Sequence, residues 1–482
     1  MTESTKESIQ LLNLTNHRYV LNEESLKGIL LRDDIKDLPV VVVSVAGPFR
    51  GGKSFLLNFF LRYLKAPVET HNENGDWLGD ENESVKGFSW RGGAERHTTG
   101  ILMWSEPFIS TLPSGDKVAV LLMDTQGMYD SSSTVRDCST IFALSTLISS
   151  VQIYNLKENI KEDDLQYLQL FTEYGKLVQN QGTKTFQVLQ FLIRDWPYEY
   201  EYAYGRVGGE ALLAKRLEGD EKMPAELREV RQHIRSCFDT VSCFLMPHPG
   251  RTVARKDFTG KNSELDAEFK AAIKELVPSI FSPANLTPKL INGERVTCRD
   301  LCSYIETYVG FFSNEKTPTP VTIMQATAEA SLLAAKQEAR ELYETRMERD
   351  FGTDKLSAPS SVIHDKHGEA LAAAQTAFRG KKKMTAKRDS DECLTQLTEE
   401  LQKQLPKFLL MNSAKLTKTI TEAKQAYEST VRNVQGASLL CLSPRDLENL
   451  HNNSLTAALA VFDGQRQRFY AVSDDERTNL IA

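Results

Sequence analysis

Apolar residues follow two different rules along this chain. In roughly the first two thirds they gather into short β-branched runs: Leu38 to Ala46, Val118 to Met123, Val151 to Tyr154, Val188 to Ile193 and Val241 to Met246. Such runs have strand length and no helical period, so each is expected to be a strand buried on both faces. Helical stretches separate several of them, for example Glu162 to Val178 and Gly209 to Arg216. That alternation predicts an α/β domain over residues 1–313, a mostly parallel sheet with helices on both faces. The polar segment 314–320 carries Pro318 and Pro320 and is expected to be a linker. After it the composition turns to Ala, Glu, Lys and Gln, and helical patterns run from Thr322 to Glu348, Ile363 to Phe378 and Asp391 to Leu410. They predict an all-α three-helix bundle over 321–412. In 413–435, Leu416, Ile420, Ala423, Tyr427, Val431 and Val434 form an apolar stripe, with Lys415, Lys418, Lys424 and Arg432 off it. This amphipathic helix suits packing on the bundle, or peripheral contact with an anionic membrane. Residues 436–482 show no sustained period and are expected to be poorly structured.

At 482 residues the chain is too long for one compact core. A formal net charge of −7 provides no basic surface, which argues against a nucleic-acid partner. Seven scattered cysteines, without a paired CxxC framework, read as reduced thiols. The polar N-terminus lacks a signal-peptide core, and no stretch approaches the roughly 20 apolar residues of a spanning helix. A cytoplasmic protein is expected.

The chemistry concentrates between the first strand and the helix after it. Gly47-Pro48-Phe49-Arg50-Gly51-Gly52-Lys53-Ser54 has the spacing of a phosphate-binding P-loop, and Phe55, Leu56, Phe59, Phe60 and Tyr63 continue it at helical spacing. Backbone N–H groups at Gly51, Gly52 and the first helical turn, including Phe55, would cradle the β-phosphate. Lys53 would reach the β and γ oxygens, and Ser54 would bind Mg²⁺. Asp124-Thr125-Gln126-Gly127 follows the strand Val118 to Met123, where Asp124 can reach the same Mg²⁺ and Gln126 the nucleotide. The polar segment Arg91 to Gly100 is either a surface loop or a switch in which Thr98 coordinates Mg²⁺ and senses the γ-phosphate. Arg194-Asp195-Trp196 ends another strand. There Asp195 can accept the ring N–H and exocyclic amino hydrogens of guanine, or be half of an ordinary surface ion pair.

Longer motifs go further. Gly87-Phe88-Ser89-Trp90-Arg91-Gly92-Gly93, Thr98-Thr99-Gly100-Ile101, Met123 to Gly127, Phe171-Thr172-Glu173-Tyr174-Gly175, Arg194-Asp195-Trp196 and Pro247-His248-Pro249-Gly250 occur in order. With Met324 to Ala330, the string resembles the atlastins over about residues 15 to 412. These are dynamin-superfamily GTPases, related to guanylate-binding proteins, that tether and fuse endoplasmic-reticulum membranes. The resemblance implies GTP as substrate, Mg²⁺ as cofactor and a homodimer formed through the GTPase and middle domains. It implies that Arg194 and Asp195 select guanine, that the loop from Val253 to Lys256 caps the base, and that Arg50 is an internal arginine finger ordered by dimerisation. Thr98 would polarise the attacking water through its backbone carbonyl.

The chain departs from the family pattern at Pro48 and Gly51, and at Arg255 and Lys256. Atlastins place a transmembrane hairpin just after the segment matching Met411 to Lys415, whereas here the polar run Leu416 to Tyr427 follows. The expected function is nucleotide-dependent dimerisation acting in endoplasmic-reticulum tethering, fusion or network organisation. The alternatives are a non-fusing regulator of membrane-anchored atlastins and a guanylate-binding-protein-like assembly GTPase.

Overall fold

The computed structural model describes residues 7–15, 18–49, 51–72, 76–90, 100–127, 135–168, 185–218, 224–314, 319–385, 387–435 and 442–464. The chain divides into two compact units, residues 1–334 and 335–482.

The first unit is built on one mixed sheet. Its strands are β1 (Ser8–Thr15), β2 (Arg18–Leu21), β3 (Val40–Ala46), β4 (Ile101–Trp104), β5 (Phe108–Thr111), β6 (Lys117–Thr125), β7 (Val151–Lys157), β8 (Phe186–Arg194) and β9 (Phe238–Leu245). The spatial order is β2-β1-β4-β6-β3-β7-β8-β9, with β5 also paired to β6. Strands β6, β3, β7, β8 and β9 are mutually parallel, and the β1, β2, β4 and β5 pairings are antiparallel. The five apolar runs of the sequence are the five parallel strands, and every residue of β3 is buried.

Around the sheet lie α1 (Glu23–Leu30), α2 (Lys53–Lys65), α3 (Val135–Ile148), α4 (Glu162–Gln166), α5 (Gly205–Leu217), α6 (Ala225–Cys237), α7 (Ala267–Phe281) and α8 (Cys298–Asn314). Successive strand side chains face opposite ways, so the two faces bury different helices. Val41, Val43, Val45 and Ile153 share a core with α2 and α7, whose Phe59 and Phe269 rings lie 6.1 Å apart. Tyr154, the neighbour of Ile153, instead meets Phe142 of α3 at 5.0 Å. The expected helix Glu162 to Val178 is described only as α4, because residues 169–184 lie outside the described residues.

The helical region contains α9 (Pro320–Phe351), α10 (Ser360–Gly380), α11 (Lys387–Gln402), α12 (Leu405–Gln435) and α13 (Pro444–Gly464). Within the second unit, Glu400 of α11 accepts from Lys336 at 2.6 Å and Arg340 at 2.5 Å, both on α9. Tyr343 of α9 hydrogen-bonds His367 of α10 at 2.8 Å, and Asn412 of α12 exchanges two 2.8 Å bonds with the Ala358 backbone.

The structure departs from two expectations. The pattern from Asp391 to Leu410 is not one helix but the end of α11 and the start of α12, separated at 403–404. Pro406 has no N–H to give a preceding turn, and is accommodated in the first turn of a new helix. The tail is also not poorly structured throughout: α13 occupies 444–464 and buries Leu450, Ser454, Ala458 and Phe462. These residues recur every fourth position, but two are Ser and Ala, which hides the stripe in a hydropathy reading. Ala458 and Phe462 pack on Ala423 of α12, with Leu416, Ile420, Tyr427 and Val461 around them. Leu416, Ile420, Ala423 and Tyr427 of the 413–435 stripe are therefore packed by the tail helix, and Lys415 donates to the Phe351 and Gly352 carbonyls. Among the described residues, no helix is long and apolar enough to cross a membrane.

Candidate nucleotide site

The predicted loops meet along the carboxyl edge of the parallel strands, where open α/β sheets bind their ligands. β3 delivers the P-loop, β6 delivers Asp124, β7 ends near Asn155, β8 ends at Arg194, and β9 leads to the segment 246–256. The P-loop turns into α2 through Gly52, the N-cap, which takes a left-handed φ of +71°. Gly47 opens the loop against β7: a Cβ there would stand 2.1 Å from the Asn155 carbonyl oxygen. Only glycine tolerates both demands cheaply.

Lys53 begins α2 and is 7% exposed. Its Nζ donates to the Gly47 and Pro48 carbonyls at 3.2 and 3.1 Å, so the ammonium bridges the loop. Burial pushes its pKa down to about 8, partly offset by the Asp124 carboxylate. The Ser54 hydroxyl donates to Asp124 Oδ2, joining α2 to the end of β6. Asp124 is buried, and Thr125 beside it donates to the Val45 carbonyl at 3.0 Å. A hydroxyl and a carboxylate brought together are hard oxygen donors, the ligand set Mg²⁺ prefers. Gln126 is held through its backbone N–H to the Gly100 carbonyl at 2.8 Å, and its Oε1 accepts from the Gly100 N–H at 2.9 Å. These two bonds tie the loop after β6 to the start of β4.

At the other end of the site, the Arg194 guanidinium lies against the P-loop. Its Nη1 donates to the Gly51 carbonyl at 3.1 Å, and burial lowers its pKa, with Asp195 opposing the shift. Asp195 is half-buried and takes φ +57°, an uncommon conformation for a non-glycine residue. Trp196 fixes the turn by donating its backbone N–H to Met246 at 3.0 Å and its indole N–H to Tyr202 at 2.9 Å. The segment Arg251–Ala254, expected from the resemblance to cap the base, is a 3₁₀ turn, with Val253 half-buried on the α2 core and Lys256 exposed. Phe258 anchors it, its ring 5.9 Å from that of Phe55. Phe55 thus packs against that segment from within the first turn of α2.

Gly51, Gly52, Lys53, Ser54, Phe55, Asp124, Gln126, Arg194, Asp195, Val253 and Lys256 are all positioned on this edge. Arg50 and Thr98 lie outside the described residues. One contributor that the motif reading missed is Asn155, whose Nδ2 donates to the Gly51 carbonyl at 3.0 Å. Its only signal in the sequence is a polar residue near the end of an apolar strand.

Comparison with known proteins shows the family. Residues 16–290 match the family model "Guanylate-binding protein, N-terminal domain". The chain is 47% identical over 411 residues to Atlastin of Drosophila melanogaster, covering 85% of this chain and 76% of that protein. It is 49% identical over 409 residues to Atlastin-3 of Homo sapiens, covering 84% and 75%. It is 48% identical over 402 residues to Atlastin-1 of Bos taurus, covering 83% and 71%. With a P-loop, an Asp124 loop and a guanidinium-braced turn on one sheet edge, the chain belongs to the atlastin family and is a GTP hydrolase.

Proposed function

We propose that the chain couples Mg²⁺-dependent GTP hydrolysis to dimerisation, acting in tethering, fusion or organisation of endoplasmic-reticulum membranes. The observation that carries the chemical part is the pairing of Ser54 with Asp124 beside Lys53. In this reading Lys53 and the P-loop amides balance charge on the β- and γ-phosphates, and Ser54, Asp124 and Thr98 hold Mg²⁺. When bound, that ion neutralises charge developing on the phosphate oxygens. Arg194 and Asp195 select guanine, and the segment from Val253 to Lys256 covers it. Thr98 orients the attacking water.

Arg50 acts as the arginine finger, completed when two copies meet through the GTPase and middle domains. Such fingers contribute on the order of 10³ to 10⁵ in rate. The membrane part rests on the atlastin relatives, and membrane-anchored atlastins are natural partners. The test is turnover per molecule against protein concentration. Rising specific activity, lost in Arg50→Ala while GDP still binds, supports the reading; flat activity indifferent to that substitution removes the finger and the dimer coupling.

A further inference from the structure

The Gly51 carbonyl accepts two hydrogen bonds from opposite sources in the sequence, Asn155 Nδ2 at 3.0 Å from β7 and Arg194 Nη1 at 3.1 Å from β8. Both donors are buried, Asn155 at 1% exposure and Arg194 at 6%. A carbonyl can only accept, so the Asn155 side chain must present its NH₂ group to Gly51. Its Oδ1 has no hydrogen-bond partner among the described residues, so the donation to Gly51 is what orients this amide. The same residue's backbone oxygen abuts Gly47, so Asn155 meets the P-loop at two points, its start and its middle.

In a trans peptide the carbonyl and the following N–H point in opposite directions. Pinning the Gly51 oxygen toward β7 and β8 therefore aims the Gly52 N–H away from them, into the loop that Lys53 spans. We propose that Asn155 is a positioning residue for nucleotide binding: it orients the Gly51–Gly52 peptide so that the Gly52 N–H faces the β-phosphate. Arg194 shares the carbonyl, which makes this peptide a physical link between the guanine end and the phosphate end of the site. The proposal rests on the reading of this loop as the phosphate site.

The test is Asn155→Leu, which keeps the side-chain shape and removes the donor. Affinities for GDP and GMP are measured by displacement of a fluorescent guanine nucleotide, alongside thermal unfolding without nucleotide. GMP lacks the β-phosphate, so a peptide misaimed only there should cost GDP roughly 3- to 12-fold, the size of one neutral hydrogen bond, and leave GMP within about twofold. Equal losses for GDP and GMP would mean general distortion and would overturn the proposal, as would unchanged GDP affinity. If the leucine variant does not fold, Asn155→Ser is read by the same two affinities. Should the wild-type protein itself bind GDP no tighter than GMP, the phosphate-site reading fails instead, which separates the two failures.

Discussion

Ser54 and Asp124, seventy positions apart in the sequence, are joined by a hydrogen bond between the first turn of α2 and the end of β6. The bond is possible because β3 and β6 are adjacent parallel strands in register, with Val45 opposite Asp124. Two loops leaving neighbouring strands at the same level must emerge side by side. Sheet register thus brings the hydroxyl and the carboxylate together.

Removing one partner tests the pair. Ser54→Ala should leave the fold intact but lower GTP turnover by roughly 100-fold and raise the Mg²⁺ concentration needed for half-maximal rate. Phosphate release across a Mg²⁺ titration measures both. An unchanged Mg²⁺ dependence would take Ser54 out of the metal site.

The depressed pKa of Lys53 gives nucleotide binding a pH signature. In the free protein burial holds the ammonium near 8, and bound phosphates favour the charged form and so raise that value. Above pH 8 binding should therefore take up a proton, and GDP affinity should fall as pH rises through 8. Calorimetry in buffers of different ionisation enthalpy detects the uptake, and Lys53→Ala should abolish both proton uptake and tight binding.

In the helical unit, burial lowers the pKa of His367, with His364 adding to the shift. The sign follows from linkage. Above the ordinary histidine value of 6.5 both folded and unfolded chains carry neutral His367, and its contribution is fully present. As pH falls below 6.5 the unfolded chain gains a proton that the folded unit resists, so stability falls. His367 also hydrogen-bonds Tyr343, which His367→Gln can retain in part. Between pH 7 and pH 5 the wild-type midpoint of thermal unfolding should drop more than that of the Gln variant.

The tail helix has its own test. Phe462 is fully buried in the seam between α12 and α13, so Phe462→Ala should cost about 3 to 5 kcal/mol. That exceeds what a short helix seam can spare. Hydrogen exchange over 444–464 should be slow in the wild-type chain and fast in the variant; fast exchange in both would mean that α13 does not pack in solution.

The parallel half of the sheet was legible because strands buried on both faces are written as unbroken apolar runs, as in Val40 to Val43. The antiparallel half was not, since β2, β4 and β5 have only four residues each and β1 mixes polar with apolar positions, as in Ser8–Thr15. The P-loop and Asp124 were legible because their chemistry is local in sequence. Asn155 was not: its role comes from β7 lying beside β3, a relation only the pairing of strands creates. The tail helix stayed hidden because Ser454 and Ala458 fill its stripe, small residues that let two helices approach closely without raising local hydropathy.

On the proposed reading, this sheet edge hydrolyses GTP and selects guanine through Asp195. The direct measurement is steady-state phosphate release from GTP and from ATP, with Mg²⁺, by the full chain and by Asp195→Asn. The wild-type kcat/KM should favour GTP by at least roughly 100-fold, as expected when a buried polar group must be matched, and the variant should narrow that ratio chiefly by losing activity on GTP. Equal turnover of GTP and ATP by the wild-type chain would rule out guanine selection by Asp195.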